Sequence, residues 1–354
     1  MSRAYYRCRH CTASRFPYDE AAGLDGRYSP AVRPLVALAG TLAPFRVGAD
    51  DLLGRFAGLK VSPSSCRRVT EQAGQELVAQ HQDGQAFCPQ QRLPWDLRLV
   101  DDNGQRLPQK VLYVGVDAFA VRVRTHGGLT TEWKMQYVGL LYDPAKKHTV
   151  YVSDYDLDTL AAVLRRYAIV LGLGQDQTVT VVALTDGGHG LEKAVRGSFS
   201  DAVQFVLDYY HTAAYLHALA DAVWGEGSAA ACAWAQQAKS VVWEQGGEAL
   251  VQHLHAVVLP AEVSDEGRQK YRRALDHIGG NRHRLDYASY RARGWDVGSG
   301  PTEAGCKILK GRLDGTGMRW LLGCSGEVGS LRALFASGEG LWDAFFNPGR
   351  RAAA

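Results

Sequence analysis

VLYVGVDAFAVRVRT, residues 111–125, is an apolar run that meets an acid at Asp117 and then alternates apolar with polar residues to its end. The unbroken apolar part fits a strand covered on both faces, and the alternating part fits a strand with one face exposed. The stretch therefore counts as two strands. Working outward, MQYVGLLYD (135–143) reads as a third strand and DLDTLAAVLRRYAIVL (156–171) as an amphipathic helix. TVTVVALTDGG (178–188) is a strand with a carboxylate at its end, and after a short helix AVQFVLDYYH (202–211) is a strand running into a helix. Strands interleaved with helices in this way predict an α/β domain whose sheet mixes antiparallel and parallel pairs.

Asp117 follows Val-Gly-Val and Asp186 follows Ala-Leu-Thr, so each acid stands at the end of a buried apolar run. An aspartate there is most often a turn former. A bare carboxylate is also costly to bury unless it is paired or holds a cation, and ligands of open α/β sheets collect at strand ends. Two such acids on neighbouring strands fit Mg²⁺, which takes one or two carboxylates together with phosphate oxygens.

A third acid comes from GWDVGSGPTEAGCKILKGRLDGTGMRW, residues 294–320. Ser299 is placed to cap a helix, Pro301 suits a first turn, and Glu303 lies where the helix dipole favours negative charge. A helix start is the ordinary reading of such a pattern. Its surroundings are unusual: residues 268–320 carry twelve Lys or Arg against five acids, whereas the whole chain has a net charge of +3. A local basic excess suggests a polyanion held along one face.

With 354 residues, 46% of them hydrophobic and 22% charged, the chain suits two or three domains with a substantial core. No stretch approaches a membrane span, the N-terminus has no apolar leader, and seven cysteines are an odd number, so a reducing cytoplasm is the expected setting. Cys8 and Cys11 form a single CxxC, half of a tetrahedral zinc ribbon, so residues 1–29 read as a partial zinc-ribbon-like segment without structural zinc. Residues 30–82 read as three helices (30–42, 48–56 and about 62–82) with helix-turn-helix spacing. Arg67 and Arg68 follow Ser62, Ser64 and Ser65 on the third, the kind of residues that enter a major groove. A plain three-helix bundle fits the same pattern. Residues 83–110, rich in Gln, Pro and Gly, read as a linker. Asp186 and Glu303 lie 117 positions apart, too many for a bare loop, so residues 212–290 read as a helical insertion whose Trp224, Trp234 and Trp243 fit its core, the alternative being that one of them stacks on an unpaired base.

Asp117, Asp186-Gly, Leu-Asp208-Tyr-Tyr-His211, NRHRLDY (281–287) and the 294–320 block together resemble the DDE transposases of bacterial insertion sequences, of the Kra type. The resemblance covers about residue 30 to the end. It implies a ribonuclease H-like α/β domain in two parts, 111–211 and 291–354, the second including C-terminal helices, with the helical insertion between them and a helix-turn-helix-like domain ahead. It implies Asp117, Asp186 and Glu303 as ligands of two Mg²⁺ or Mn²⁺ ions, with Asp208 and His211 as an Asp-x-x-His pair beside the ends being cut. The implied partners are transposon-end and target DNA, bound by a homodimer or higher oligomer in the bacterial cytoplasm at the nucleoid. Arg67, Arg68, Arg282, Arg284, Lys307, Lys310, Arg312 and Arg319 are the candidate DNA-contacting residues. The chain departs from the pattern at Ala118, at Asp314 and in its half ribbon. A catalytically silent DNA-binding descendant and a nuclease that cuts without joining remain the rival readings.

Overall fold

The structure is a computed structural model that describes residues 5–21, 28–88, 95–101, 103–174, 178–188, 190–200 and 202–347. Parts of the expected zinc-ribbon segment (1–4, 22–27), linker (89–94, 102) and C-terminal segment (348–354) lie outside the described residues. Strands β1 (Tyr6–Arg7) and β2 (Ser14–Arg15) pair antiparallel and precede α1 (Pro17–Ala21). Helices α2 (Val32–Leu42), α3 (Phe45–Val47), a π-helical segment Gly48–Phe56 and α4 (Pro63–Gln82) follow. Ser62 starts α4 from an extended backbone, its Oγ accepting the Ser65 N–H at 3.2 Å, while Pro63 fills a first-turn position that has no need of an N–H.

The centre of the molecule is a mixed sheet, six-stranded among the described residues, built from β3 (Arg98–Val100), β4 (Arg106–Thr125), β5 (Thr130–Tyr142), β6 (Thr149–Asp154), β7 (Val179–Thr185) and β8 (Gln204–Leu207). The order is β6-β5-β4-β7-β8, with β3 also on β4. Strands β4, β5 and β6 are antiparallel to one another; β7 joins β4, and β8 joins β7, in parallel. The parallel pairs need crossovers, supplied by α5 (Leu157–Val170) and α6 (Leu191–Phe199). Beyond β8 come α7 (Tyr209–Trp224), α8 (Ala229–His255), α9 (Asp265–Asn281), α10 (Tyr287–Ala292), α11 (Gly300–Leu313), α12 (Leu322–Ala336) and α13 (Leu341–Phe346). No helix of the described residues is long and apolar enough to cross a membrane.

Three expectations change. Residues 111–125 are one continuous strand rather than two, because Asp117 and Ala118 keep their pairing with Val138 and Tyr137. The remaining strand of the antiparallel trio is β6, at residues 149–154, too short and mixed in composition to stand out. The stretch read as a linker contains β3 and the start of β4, masked by Pro108; that proline lies where β4 is not yet paired with β5 or β7, so its missing N–H costs little.

Both faces of the sheet are covered, which explains its near-continuous apolar strands. On one face Leu112, Val114 and Val116 pack with Leu160 and Leu164 of α5; on the other Val111, Tyr113, Val182 and Leu184 pack against the helices that follow β8. The edge strand β8 is closed by side chains: the hydroxyls of Tyr287 and Tyr290 donate to the carbonyls of Leu207 and Phe205, at 3.0 and 3.3 Å. Carbonyls that would invite another strand are thereby satisfied within the chain.

The C-terminal end of α4 docks on α5 through His81, which is 8% exposed and lies 3.2 Å from the Tyr167 hydroxyl. Burial first, and then the charge of Arg166, lower its pKa to about 4. The unfolded chain therefore takes up a proton near pH 6.5 that the folded chain refuses until about pH 4. Stability falls as pH drops through that window, by about 3 kcal/mol for this group. Denaturant unfolding at pH 7 and pH 4 should show His81→Gln losing less stability than the parent by about that amount; equal losses would remove His81 as an acid-sensitive contact.

Candidate active site

Parallel pairing of β4 with β7 sets Gly115 opposite Leu184. Carried two residues further, the same register brings Asp117 abreast of Asp186, just past the end of β7. Both acids are partly buried. One oxygen of each is used locally: Asp117 Oδ1 accepts the Ala118 N–H at 2.7 Å, and Asp186 Oδ1 accepts the Gly188 N–H at 2.8 Å. Such contacts fix carboxylate orientation without neutralising charge.

Glu303 arrives from the other side on the first turn of α11. That helix lies so close to the sheet that a Cβ at Gly115 of β4 would stand 2.1 Å from Thr302 Oγ1, and a Cβ at Gly305 would stand 2.7 Å from Cε1 of Tyr151 on β6. Only the absence of side chains at these two positions permits the approach. The Glu303 side chain is 59% exposed, with Lys307 Nζ at 3.8 Å. One turn after Glu303, the Cys306 thiol donates to Asp117 Oδ2 at 3.2 Å. Burial, the charge and hydrogen bond of Asp117, and the charges of Asp186 and Glu303 all push the Cys306 thiol pKa up.

Ser299 does not cap α11 with its side chain, as the sequence suggested. Its backbone N–H donates instead to Asp208 Oδ2, in a bond that draws the start of α11 against the end of β8. Asp208 is 2% exposed, and its other oxygen accepts the His211 N–H at 2.6 Å, capping α7. The His211 side chain is exposed. Beside it stands a histidine that the sequence reading did not single out, His277 of α9. A Cβ at Gly187 would lie 3.2 Å from its Cε1. Burial and then the nearby His211 lower the His277 pKa, against the opposing pull of Asp186. No local signal marks His277 in the sequence, because only the packing of α9 against the loop after β7 brings it there.

The basic residues divide. Arg312 is 3% exposed: its guanidinium donates twice to the Gly40 carbonyl, at 3.0 and 2.8 Å, and lies 4.9 Å from the Phe45 ring and 5.0 Å from the Trp320 ring. It is a strut joining α11 to α2, which corrects its expected place on a DNA-contacting surface. Arg284 is corrected likewise, being buried in an ion pair with Glu192 of α6. Arg67, Arg68, Lys307, Lys310 and Arg319 are exposed, as is the Arg282 side chain paired with Glu248 at 2.7 Å. Arg67 and Arg319 share a cleft with Arg124 and Leu321, between α4 and the turn that leads into α12.

No family model matches this chain, and no curated protein matches it. Its chemistry is therefore read from the donor set. The three acids offer only carboxylate oxygens, the hard ligands that Mg²⁺ and Mn²⁺ prefer. Among the described residues no group of three or more His, Cys, Asp or Glu side chains is placed to hold a metal ion. At the N-terminus, Cys8 and Cys11 are exposed, and the Cys11 N–H donates to Cys8 Sγ at 3.5 Å.

A thiol held protonated first by burial and then by the nearby charge of Asp117 should react slowly, since the thiolate is the nucleophile. At pH 8 a maleimide is expected to label exposed Cys8, Cys11 and Cys232 at least about tenfold faster than Cys306, read by peptide mass spectrometry. Asp117→Asn should narrow the gap; if Cys306 labels as fast as the exposed thiols in the parent, the acids do not act on it.

Proposed function

We propose that this chain is a DDE transposase of the bacterial insertion-sequence kind, cutting DNA at element ends and joining the freed 3′-OH to target DNA. The observation that carries the reading is the pairing of β4 with β7, which sets Asp117 abreast of Asp186, together with the Cys306 thiol of the Glu303 helix donating to Asp117 Oδ2 at 3.2 Å. The sheet supports a ribonuclease H-like interpretation: three antiparallel strands, then two parallel ones, with Asp117 within β4 just beyond its parallel pairing to β7 and Asp186 just past the end of β7. Helices α2 and α4 with the turn before Ser62 are compatible with a helix-turn-helix-like unit, whose Arg67 and Arg68 are exposed on the first turns of α4.

Two divalent cations, when bound, would supply Lewis acidity for in-line displacement at phosphorus. The residues of the chain do the rest. Asp117, on the paired backbone of β4, and Asp186, just past β7, each have one oxygen fixed by a local backbone N–H. Glu303, on the more exposed first turn of α11, would complete the set. His211, exposed at the head of α7, is available to orient a phosphate or the second strand. The cleft holding Arg67, Arg124 and Arg319 presents cations to a DNA backbone between α4 and the sheet.

Duplexes carrying the DNA that flanks the reading frame on either side, supplied with a plasmid target and Mg²⁺ or Mn²⁺, test the reading. Cleavage and joined products are expected, with Asp186→Asn losing both steps. His211→Ala should keep its fold and DNA binding while losing about 10²-fold in rate, the scale of lost positioning or acid–base help. Binding of the ends should weaken steeply as salt rises, because counterion release dominates such contacts. Cleavage without joining would favour a nuclease, and binding without cleavage a silent DNA-binding protein.

A further inference from the structure

Asp208 is among the most enclosed acids of the molecule, and its two oxygens are both committed to backbone amides. One is the N–H of His211, on its own helix; the other is the N–H of Ser299, on a segment 91 residues away. Ser299 in turn accepts, through its carbonyl, the Glu303 N–H at 3.1 Å. A hydrogen-bonded path of one residue therefore connects the Asp208 carboxylate to the backbone of Glu303.

The rest of the run before α11 is fastened to the same place. The Asp296 N–H donates to the Tyr113 hydroxyl at 2.9 Å, and the Tyr209 N–H donates to the Val297 carbonyl at 2.9 Å. Gly298 lies under the Tyr210 ring so closely that a Cβ would stand 2.7 Å from Cε2. Asp208 itself is anchored to the sheet, its N–H donating to Thr185, the residue before Asp186. The carboxylate is thus held by the strand end that precedes one acid while it holds the helix start that carries another.

A capping aspartate whose task is only to begin α7 would need one oxygen. The second oxygen does something else: a charge-assisted bond across two separate chain segments is shorter and stronger than a neutral one, and buried bonds of this kind tolerate little displacement. We propose that Asp208 is a positioning residue that never meets substrate: by holding the Ser299 amide it sets the height of α11, and so the reach of Glu303 toward Asp117 and Asp186. This rests on the reading of those three acids as a divalent-cation site.

The test is Mn²⁺ binding to the intact protein, followed by electron paramagnetic resonance with Mn²⁺ alone. Asp208→Ser keeps an oxygen for the His211 amide but is too short to hold Ser299 as well. It should weaken Mn²⁺ binding about tenfold or more, the scale of losing an outer partner that orients a metal ligand. Asp156→Ser, at the start of α5, is the control: Asp156 caps through the Thr159 N–H at 2.7 Å, a bond that serine can also accept, so that change should leave both the fold and Mn²⁺ affinity unchanged. In a Glu303→Gln background, Asp208→Ser has no carboxylate left to misplace, so the two losses should be far from additive. Should Asp208→Ser fail to fold, Asp208→Asn preserves the shape, replaces one acceptor by a donor, and is read in the same way. Mn²⁺ affinity within twofold of the parent in the folded variant, or full additivity with Glu303→Gln, overturns the positioning role alone. A parent protein that binds no Mn²⁺ overturns the cation-site reading and this inference together.

Discussion

The close seating of α11 on β4 is the contact on which the candidate site depends. Thr302 occupies the space a side chain at Gly115 would fill, and Tyr151 fills the corresponding space at Gly305. Any larger residue at either glycine would lift the helix. Because Glu303 is the next residue after Thr302, lifting the helix would draw the third acid away from the two on the sheet. Packing of Leu309 and Leu313 with Phe119, Val121 and Val138 holds the rest of α11 down along the same strand. Interiors close-packed in this way resist gradual deformation, so the position of Glu303 is a property of the core rather than of its own flexible side chain.

The helices between β8 and α11 are joined to the sheet by polar contacts as well as by apolar area. Tyr287 and Tyr290 close the exposed carbonyls of β8, Arg284 pairs with Glu192 on the helix after Asp186, and His277 rests over Gly187. Each of these contacts falls near a strand end or near the loop carrying an acid. The long excursion in the chain therefore forms one wall of the site. Breaking one partner of the buried Arg284–Glu192 pair would leave an uncompensated charge, which is costlier than losing a surface pair.

The N-terminal helices are tied to the same framework at two distant points. Arg312 bonds the Gly40 carbonyl from α11, and His81 at the far end of α4 meets Tyr167 on α5. Gly74 of α4 also lies against the Glu327 backbone of α12, where a Cβ would stand 2.5 Å from the carbonyl oxygen. A unit held at several separated contacts has little freedom to rotate as a body. The exposed Arg67 consequently keeps a defined place relative to Arg124 and Arg319 in the cleft between the two parts.

Local pattern was enough to mark the apolar strands, the capped start of α4 at Ser62, and acids at the ends of buried runs, because backbone preference and burial periodicity act over a few neighbouring residues. That same locality misread residues 111–125 as two strands, since an acid resembles a turn until its cross-strand partner is known. It also read Ser299 as a side-chain cap and Arg312 as a surface charge, where folding used the Ser299 amide and buried the arginine. His277 carries no sequence signal whatever; its neighbours come from a loop 90 positions earlier. By itself the sequence determined most of the helices, the apolar strand segments, and the acid that follows β7. Tertiary packing decided the strand register that sets Asp117 abreast of Asp186, the burial of Arg312 and Arg284, and the bond from Ser299 to Asp208, because those outcomes rest on contacts between segments far apart in the chain.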